Sequence, residues 1–363
     1  MVIHVQNKKE IIKFIDFVKD LYKDEKNFIF PFFNSQKKEL FHYVLKTKEY
    51  KALYIKENNK IVARILYTFT YNPKRKEKMC YFSFFDAYNN IQAVQELFHC
   101  IMEDMKQNEA HYIEGPFCPY DPETRRGILM NHYESISSMF LSYNYSYYGQ
   151  LLEKIGFKKA FDTYTIQKVI DDKAIEISHK FGIYSRKRLN VHYDTIQFKN
   201  IDNDLKDIQW IFNQSTNDIN YQEAPSLELI QSFVKKLKLL IKPEYAVIAR
   251  ENGNNRPVGF IFVIPDYAEV FLKMKGRLNV FKLLFLKNKI TKVRGWLQYV
   301  IPEYQGSSLI GGLFDCVIAQ FKKDNIHYFE GGTIMEDNRL SISVFQHYGG
   351  QKYKIYRLFG KEI

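Results

Sequence analysis

The chain has 363 residues, 46% of them hydrophobic, and a formal net charge of +12 at pH 7. That length and apolar content suffice for two packed domains. No apolar run reaches the roughly 18 residues of a membrane-spanning helix. The opening MVIHVQNKKEIIKF lacks the uninterrupted apolar stretch of a signal peptide, so no secretory leader is expected. Cys80, Cys100, Cys118 and Cys316 are scattered with no C-x-x-C pair, which fits reduced thiols in a cytoplasmic protein and argues against a zinc site. The positive charge suits an anionic partner, whether a phosphorylated cofactor, an acidic carrier protein or a membrane surface. Without a zinc-finger or helix-turn-helix signature, nucleic acid is not expected.

In chain order, Ile11, Ile12, Phe14, Ile15, Phe17, Val18 and Leu21 recur at helical spacing and predict a helix over 9–22. An aromatic segment at 28–33 is broken by Pro31. Strands are expected at 50–55 and 60–71, turning at Glu57-Asn58-Asn59, and again at 80–87. Asn89 or Asn90 can cap the next helix, whose apolar face is Ile91, Val94, Leu97, Phe98, Ile101, Met102 and Met105. A strand at 111–114 ends at Gly115-Pro116, and prolines with Gly127 make 117–135 a long loop. Tyr143, Asn144, Tyr147 and Tyr148 lead into a helix at 150–155, closed by Gly156, with extended chain over 157–166. Residues 167–190 are polar and mixed in charge; they read as a connection between halves, with Arg186-Lys187-Arg188 as a solvated face.

The second half opens with a strand at 191–198. A helix carrying Leu205, Ile208, Trp210, Ile211 and Phe212 follows, then another at 226–241. A hairpin of 245–251 and 257–264 turns at Asn252-Gly253-Asn254-Asn255. Residues 273–294 hold eight basic side chains and no acidic one, interleaved with Leu278, Val280, Phe281, Leu283, Leu284, Phe285 and Leu286. Two readings stand for this stretch: a face for an anionic membrane, or a core-packed linker with solvated lysines. Next comes 294–321. Trp296, Leu297, Gln298, Tyr299, Val300 and Ile301 form a buried-strand signal ended by Pro302. Gln305, Gly306, Ser307 and Ser308 make a polar turn, and Leu309, Ile310, Leu313, Phe314, Val317, Ile318 and Phe321 make a helix. Such a loop offers free backbone N–H groups at a helix N-terminus, a ready phosphate site. A strand at 327–330, a helix begun by Glu336-Asp337-Asn338 and ended by Gly349-Gly350, and a strand at 353–359 complete the pattern.

Val300, Pro302, Tyr304, Gln305 and Gly306, followed by an apolar helix, resemble the acyl-CoA-binding motif of the GNAT superfamily of N-acyltransferases. The family prefers small residues where Ser308 and Ile310 stand. Both halves follow its order of hairpin, strand, helix, strand, helix, strand, and Leu151-Leu152-Glu153-Lys154-Ile155-Gly156-Phe157 resembles its last helix and Gly-Phe ending. The resemblance implies an α/β (α+β) chain of two tandem GNAT folds, each a mixed, mostly antiparallel sheet flanked by helices, with domains at 1–180 and 181–363. The first would have no phosphate loop, because Asp86-Ala87-Tyr88-Asn89-Asn90 contains no glycine. The pattern is similar to bacterial tandem GNAT proteins, some of which resemble bacterial ceramide synthases. Gly115-Pro116, Gly127-Ile128-Leu129, Tyr143-Asn144, Tyr147-Tyr148, Pro265-Asp266, Gly276-Arg277-Leu278 and Glu336-Asp337-Asn338 carry that likeness.

Acyl transfer to an amine requires a polarised thioester carbonyl, a deprotonated amine and a protonated leaving thiolate. By resemblance, a backbone N–H on the strand before the loop polarises the carbonyl and the loop cradles the pyrophosphate of coenzyme A. This makes Tyr299, Val300, Gln305, Gly306, Ser307, Ser308 and Asn338 the candidate cofactor-binding residues. The family's usual acid is a tyrosine four residues before the Gly-Phe ending; Phe345 stands there, and Leu152 in the first half. Glu336, Asn338 and Tyr348 are therefore the candidate catalytic residues, with His347 nearby and Glu330 as a second carboxylate. Capping is the competing role for Asp337 and Asn338. Tyr143, Asn144, Tyr147 and Tyr148 are candidate substrate-binding residues. The expected reaction moves an acetyl or longer acyl group from CoA, or from acyl carrier protein, to an amine, without a metal. The alternatives are lipid N-acylation of ceramide-synthase type and a non-catalytic acyl-CoA-binding or interaction protein. The expected location is the cytoplasm, with the inner-membrane surface as the variant in which 273–294 touches lipid.

Overall fold

The computed structural model describes residues 1–122, 124–216 and 224–363. In chain order they form β1 (Val2–His4), α1 (Lys8–Leu21), α2 (Phe33–Leu40), β2 (Tyr50–Glu57), β3 (Lys60–Asn72), β4 (Glu77–Ala87), α3 (Ile91–Gln107), β5 (Tyr112–Gly115), β6 (Ile128–Leu129), α4 (Tyr148–Lys154), β7 (Lys158–Val169) and α5 (Asp172–Arg188). Then come β8 (Val191–Thr195), α6 (Ile201–Ser215), α7 (Leu227–Leu237), β9 (Ala246–Glu251), β10 (Pro257–Pro265), α8 (Ala268–Met274), α9 (Val280–Leu286), β11 (Lys292–Val300), α10 (Leu309–Lys323), β12 (Tyr328–Met335), α11 (Arg339–His347) and β13 (Gln351–Glu362). The chain divides into two compact units. One comprises Met1–Tyr164, Tyr267–Asn288 and Lys354–Ile363; the other comprises Thr165–Asp266 and Lys289–Tyr353. The sequence pattern suggested one boundary at 180, whereas this division falls inside β7 and again inside β13.

In the first unit the strand order is β1-β2-β3-β4-β5-β13, antiparallel except for β4 with β5. The α3 face expected from sequence is the buried one, with Val94, Leu97, Phe98, Ile101 and Met105 inward. The parallel pairing of β4 with β5 ends at Tyr81 opposite Glu114. Beyond it, the Phe117 N–H donates to the Phe82 carbonyl at 2.7 Å, and a Cβ on Gly115 would lie 2.3 Å from that same oxygen. Only glycine admits this approach. The start of α3 is closed by Asn90, whose side chain accepts from the Ala93 N–H and donates to the Glu57 carboxylate. A carboxylate beside the helix start and the absence of a glycine loop disfavour an anion there.

In the second unit the order is β12-β11-β10-β9-β8, antiparallel except for β11 with β12. The expected connection at 167–190 is instead the end of β7 and a 17-residue helix, α5, capped by Asp171. Its buried residues are Ala174, Ser178, Gly182 and Ser185. That stripe of small residues at helical spacing gives no apolar signal, yet it lets α5 lie close on α10. A Cβ on Gly182 would meet Asp315, and one on Gly311 would lie 3.0 Å from the Phe181 carbonyl oxygen. Arg186, Lys187 and Arg188 are exposed, as a solvated face requires, and Arg186 also donates to Asp315 at 2.6 Å.

Candidate acyl-transfer site

The site begins where β11 and β12 part. Their parallel pairing covers Lys292–Tyr328, Val293–Phe329, Arg294–Glu330 and Gly295–Gly331, and then stops, although both strands continue. On its other side β11 stays paired with β10, but the register shifts between Phe262–Leu297 and Val263–Gly295. Trp296 is the extra residue, a bulge that bends the strand; its ring stacks on Phe262 with centroids 5.7 Å apart. The Ile301 N–H donates to the Val258 carbonyl. By the alternation of an antiparallel ladder, Tyr299 then bonds toward β10, while the N–H groups of Gln298 and Val300 turn to the gap left by β12. In agreement, the Val300 carbonyl accepts from Gln305 Nε2 at 3.1 Å. The Tyr299 side chain packs on Phe212 and Phe260. Gln298 Oε1 is buried with no hydrogen-bond partner among the described residues.

The loop after β11 is tied down by its own sequence. Tyr304 donates its hydroxyl to Glu251 Oε1 at 2.8 Å, and Arg256 reaches both Glu251 and Glu303 at 2.6 Å. Hydrogen bonds from Arg256, Asn254 and Tyr304 lower the Glu251 pKa to about 2. The N–H groups of Gln305, Ser307, Leu309 and Gly311 are used within the loop. Those of Gly306, Ser308 and Ile310 have no acceptor among the described residues. Gly306 has φ +72°, and a Cβ there would meet nothing within 4 Å. Ser308 Oγ is buried without a hydrogen-bond partner among the described residues. The Ile310 side chain packs in part against the core of the unit. Arg256 is committed to two carboxylates, so the pull on an anion comes from these N–H groups and the start of the 15-residue α10.

On the β12 side, Glu336 lies half-buried in the turn after Met335. Asn338 caps α11, its side chain accepting from the Ser341 N–H at 3.0 Å. Phe345 is buried against Phe314 and Phe329, and its ring lies 3.0 Å from where a Cβ on Gly331 would be. Tyr348 packs on Phe181 and Phe314, and burial pushes its hydroxyl pKa up. Glu330 is not at a strand end but inside β12, buried in an ion pair with Lys292, which also stands 3.4 Å from Asp266. Burial disfavours the Lys292 charge, but Glu330 and Asp266 outweigh it and raise its pKa. Among the described residues, no group of three or more His, Cys, Asp or Glu side chains is placed to hold a metal ion.

Two features are thus joined: a parallel strand pair that parts beside a bulge, and an N–H-rich loop leading into a helix. Solved structures of similar fold align over the whole chain. A tandem GNAT protein from the clavulanic acid biosynthesis pathway aligns over 100% of this chain and 98% of its own, with TM-score 0.58 and 8% identity. The fold is that of the tandem GNAT proteins. A glucosamine N-acetyltransferase region of a fungal multi-domain β-N-acetylglucosaminidase gives TM-score 0.58 at 13% identity, over 99% of this chain and 38% of that one. A probable N-acyltransferase from Enterococcus faecalis gives 0.55 at 8% identity, over 100% and 72%. In sequence, the chain is 25% identical to the Escherichia coli protein YghO over 373 residues, 98% of this chain and 94% of that protein. No protein-family model matches the chain.

In the first GNAT unit, the residues expected to bind substrate are engaged internally. Asn144 accepts from the Leu129 N–H at 2.7 Å and donates to the Leu129 and Tyr145 carbonyls. Tyr143 donates to the Tyr133 carbonyl and Tyr147 to the Ala87 carbonyl. Tyr148 is fully buried; its hydroxyl accepts from the Ala87 N–H and meets that of Tyr22. The structure brings Val300, Gln305, Gly306, Ser307 and Ser308 together on one loop and strand end. The sequence offered Gln298–Val300 as backbone donors, but the buried Gln298 side chain and the Trp296 bulge were not singled out from it. The only local hint was Gly295, which keeps a Cβ away from the Phe329 ring.

Proposed function

We propose that the second unit transfers an acyl group from a phosphate-bearing thioester, coenzyme A or acyl carrier protein, to an amine. The observation that carries this reading is the parting of β11 from β12 beside the loop at 305–308. The residues fit such a donor: β11 and the loop after it carry three N–H groups and two buried polar atoms without partners among the described residues, and a glycine with open space around its Cβ position. When bound, the thioester supplies the activated carbonyl. Gly306, Ser308 and Ile310 would hold its phosphates through backbone N–H groups. Gln298 and Val300 would direct theirs at the acyl end, where a fixed donor stabilises developing negative charge.

Phe345 cannot transfer a proton, so the acid–base role falls to another group. Glu336 is the carboxylate near the end of β12 and is our candidate for accepting the amine proton. Asn338 serves by holding the start of α11. Tyr348, packed on two rings, serves as support for α11.

The test is a thermal-shift series with free CoA and CoA thioesters of graded acyl length, followed by thiol-release assays with candidate amines. Stabilisation by thioesters with amine-dependent thiol release is expected. No stabilisation by any thioester or by acylated carrier protein would overturn the reading.

A further inference from the structure

Between β10 and β11, the two strands that shape the site, the chain makes a detour through α8 and α9. The detour is anchored on one side only. Val270, Phe271 and Met274 of α8 are buried, Phe271 against Phe32 with ring centroids 5.0 Å apart. The Gly276 carbonyl accepts from the Phe33 N–H. On α9, capped by Asn279, Leu283 is 2% exposed, whereas Phe281 is 86% exposed and Leu284 44%. Leu278, Val280 and Phe285 are exposed as well. The core-packed reading therefore describes Leu283 but not the rest of α9, where Val280, Phe281, Leu284 and Phe285 lie in water.

Flanking them along the chain are Lys273, Lys275, Arg277, Lys282 and Lys287, all exposed, and no acidic residue occurs between 273 and 294. Glu269, near the start of α8, is the nearest acidic residue before the stretch. Exposed phenylalanine and leucine ringed by cations match the two terms of peripheral lipid binding, apolar insertion and attraction to anionic headgroups. A single apolar patch of this kind on a soluble surface marks an interaction site. The run of cations without an acidic residue disfavours a second copy of the same face, which would bring like charges together.

We propose that α9 docks on an anionic bilayer, inserting Phe281 and Leu284 while Arg277, Lys275 and Lys287 meet the headgroups. The inference does not depend on the proposed acyl transfer, because binding is measured on the full-length protein without any thioester.

The experiment is sedimentation with sucrose-loaded vesicles of phosphatidylcholine, alone or with one-third phosphatidylglycerol. Binding should be at least tenfold stronger with phosphatidylglycerol and should weaken severalfold at high salt, since each cation near such a surface contributes about fivefold. Phe281→Ser should lower binding more than tenfold with an unchanged melting temperature, because the ring is exposed. Lys287→Gln with Arg277→Gln should lower it on anionic vesicles only. Equal binding to both vesicle types, or no binding to either, would overturn the proposal. So would self-association that Phe281→Ser abolishes without any vesicle binding.

Discussion

Gly306→Glu tests the loop most directly. The residue has φ +72°, and a Cβ there meets nothing within 4 Å. The side chain has room, so the cost to the free protein is the left-handed backbone alone, about 1 kcal/mol. In a unit of this size that lowers Tm by about 2–4 °C. With pyrophosphate over the loop, the added carboxylate would stand about 5 Å from two negative charges, a repulsion of about 1.7 kcal/mol even at the dielectric constant of water. It would also keep the ligand off the backbone. The Kd for CoA should rise more than tenfold. Isothermal titration calorimetry at fixed salt measures this, with Gly306→Ala as the control for strain: the same small fall in Tm, and affinity within about threefold of wild type. Equal affinity of wild type and the glutamate variant would remove 305–308 from the ligand site.

Four further outcomes are expected. Gln298→Met removes a buried oxygen without a partner, so it should hold or raise Tm; if Gln298 faces the ligand, kcat/KM should nonetheless fall about tenfold or more, and unchanged kinetics would place it outside the site. Glu336→Gln should lower turnover about a hundredfold with Tm and CoA affinity kept, whereas Asn338→Ala should cost about 1 kcal/mol of stability through the lost cap; the opposite pattern in melts and kinetics would reverse the two roles. Lys292→Met takes the ammonium from two buried carboxylates, and chemical denaturation should show a loss of about 3–5 kcal/mol; a loss under 1 kcal/mol would mean that the cluster is solvated. Burial raises the Glu114 pKa from 4.5 to about 7, against the pull of Arg126 and Arg75. The folded state then holds the proton more tightly than the unfolded chain, so this residue should lower stability as pH rises from about 4.5 to 7, by up to about 3 kcal/mol, with no further change above. Glu114→Gln should therefore raise Tm at pH 8 by more than at pH 5, and an equal effect at both would show that Glu114 titrates normally.

Much of the second unit was legible because its signals are local. Trp296 to Ile301, Pro302, Gly306 and the apolar period from Leu309 lie within one strand–turn–helix, and each residue's role follows from its neighbours. The α3 face and a cap at Asn89 or Asn90 were readable for the same reason, and the structure selects Asn90. What tertiary structure alone decided depends on distant partners. The α5 helix was hidden because its buried side chains are Ala174, Ser178, Gly182 and Ser185, small residues whose meaning comes from Asp315 and Gly311 on α10. The Asn144 amide is matched to the backbone of Leu129 in β6, a partner the sequence around Asn144 does not reveal. Residues 354–363 complete the first unit's sheet although they end the chain, since a strand's partner is set by the edge it meets and not by its order in sequence. The apolar run at 278–286 had the composition of a core segment. Composition measures how apolar a side chain is; the packing of its neighbours decides whether it leaves water, and here that packing claims Leu283 and leaves Phe281 outside.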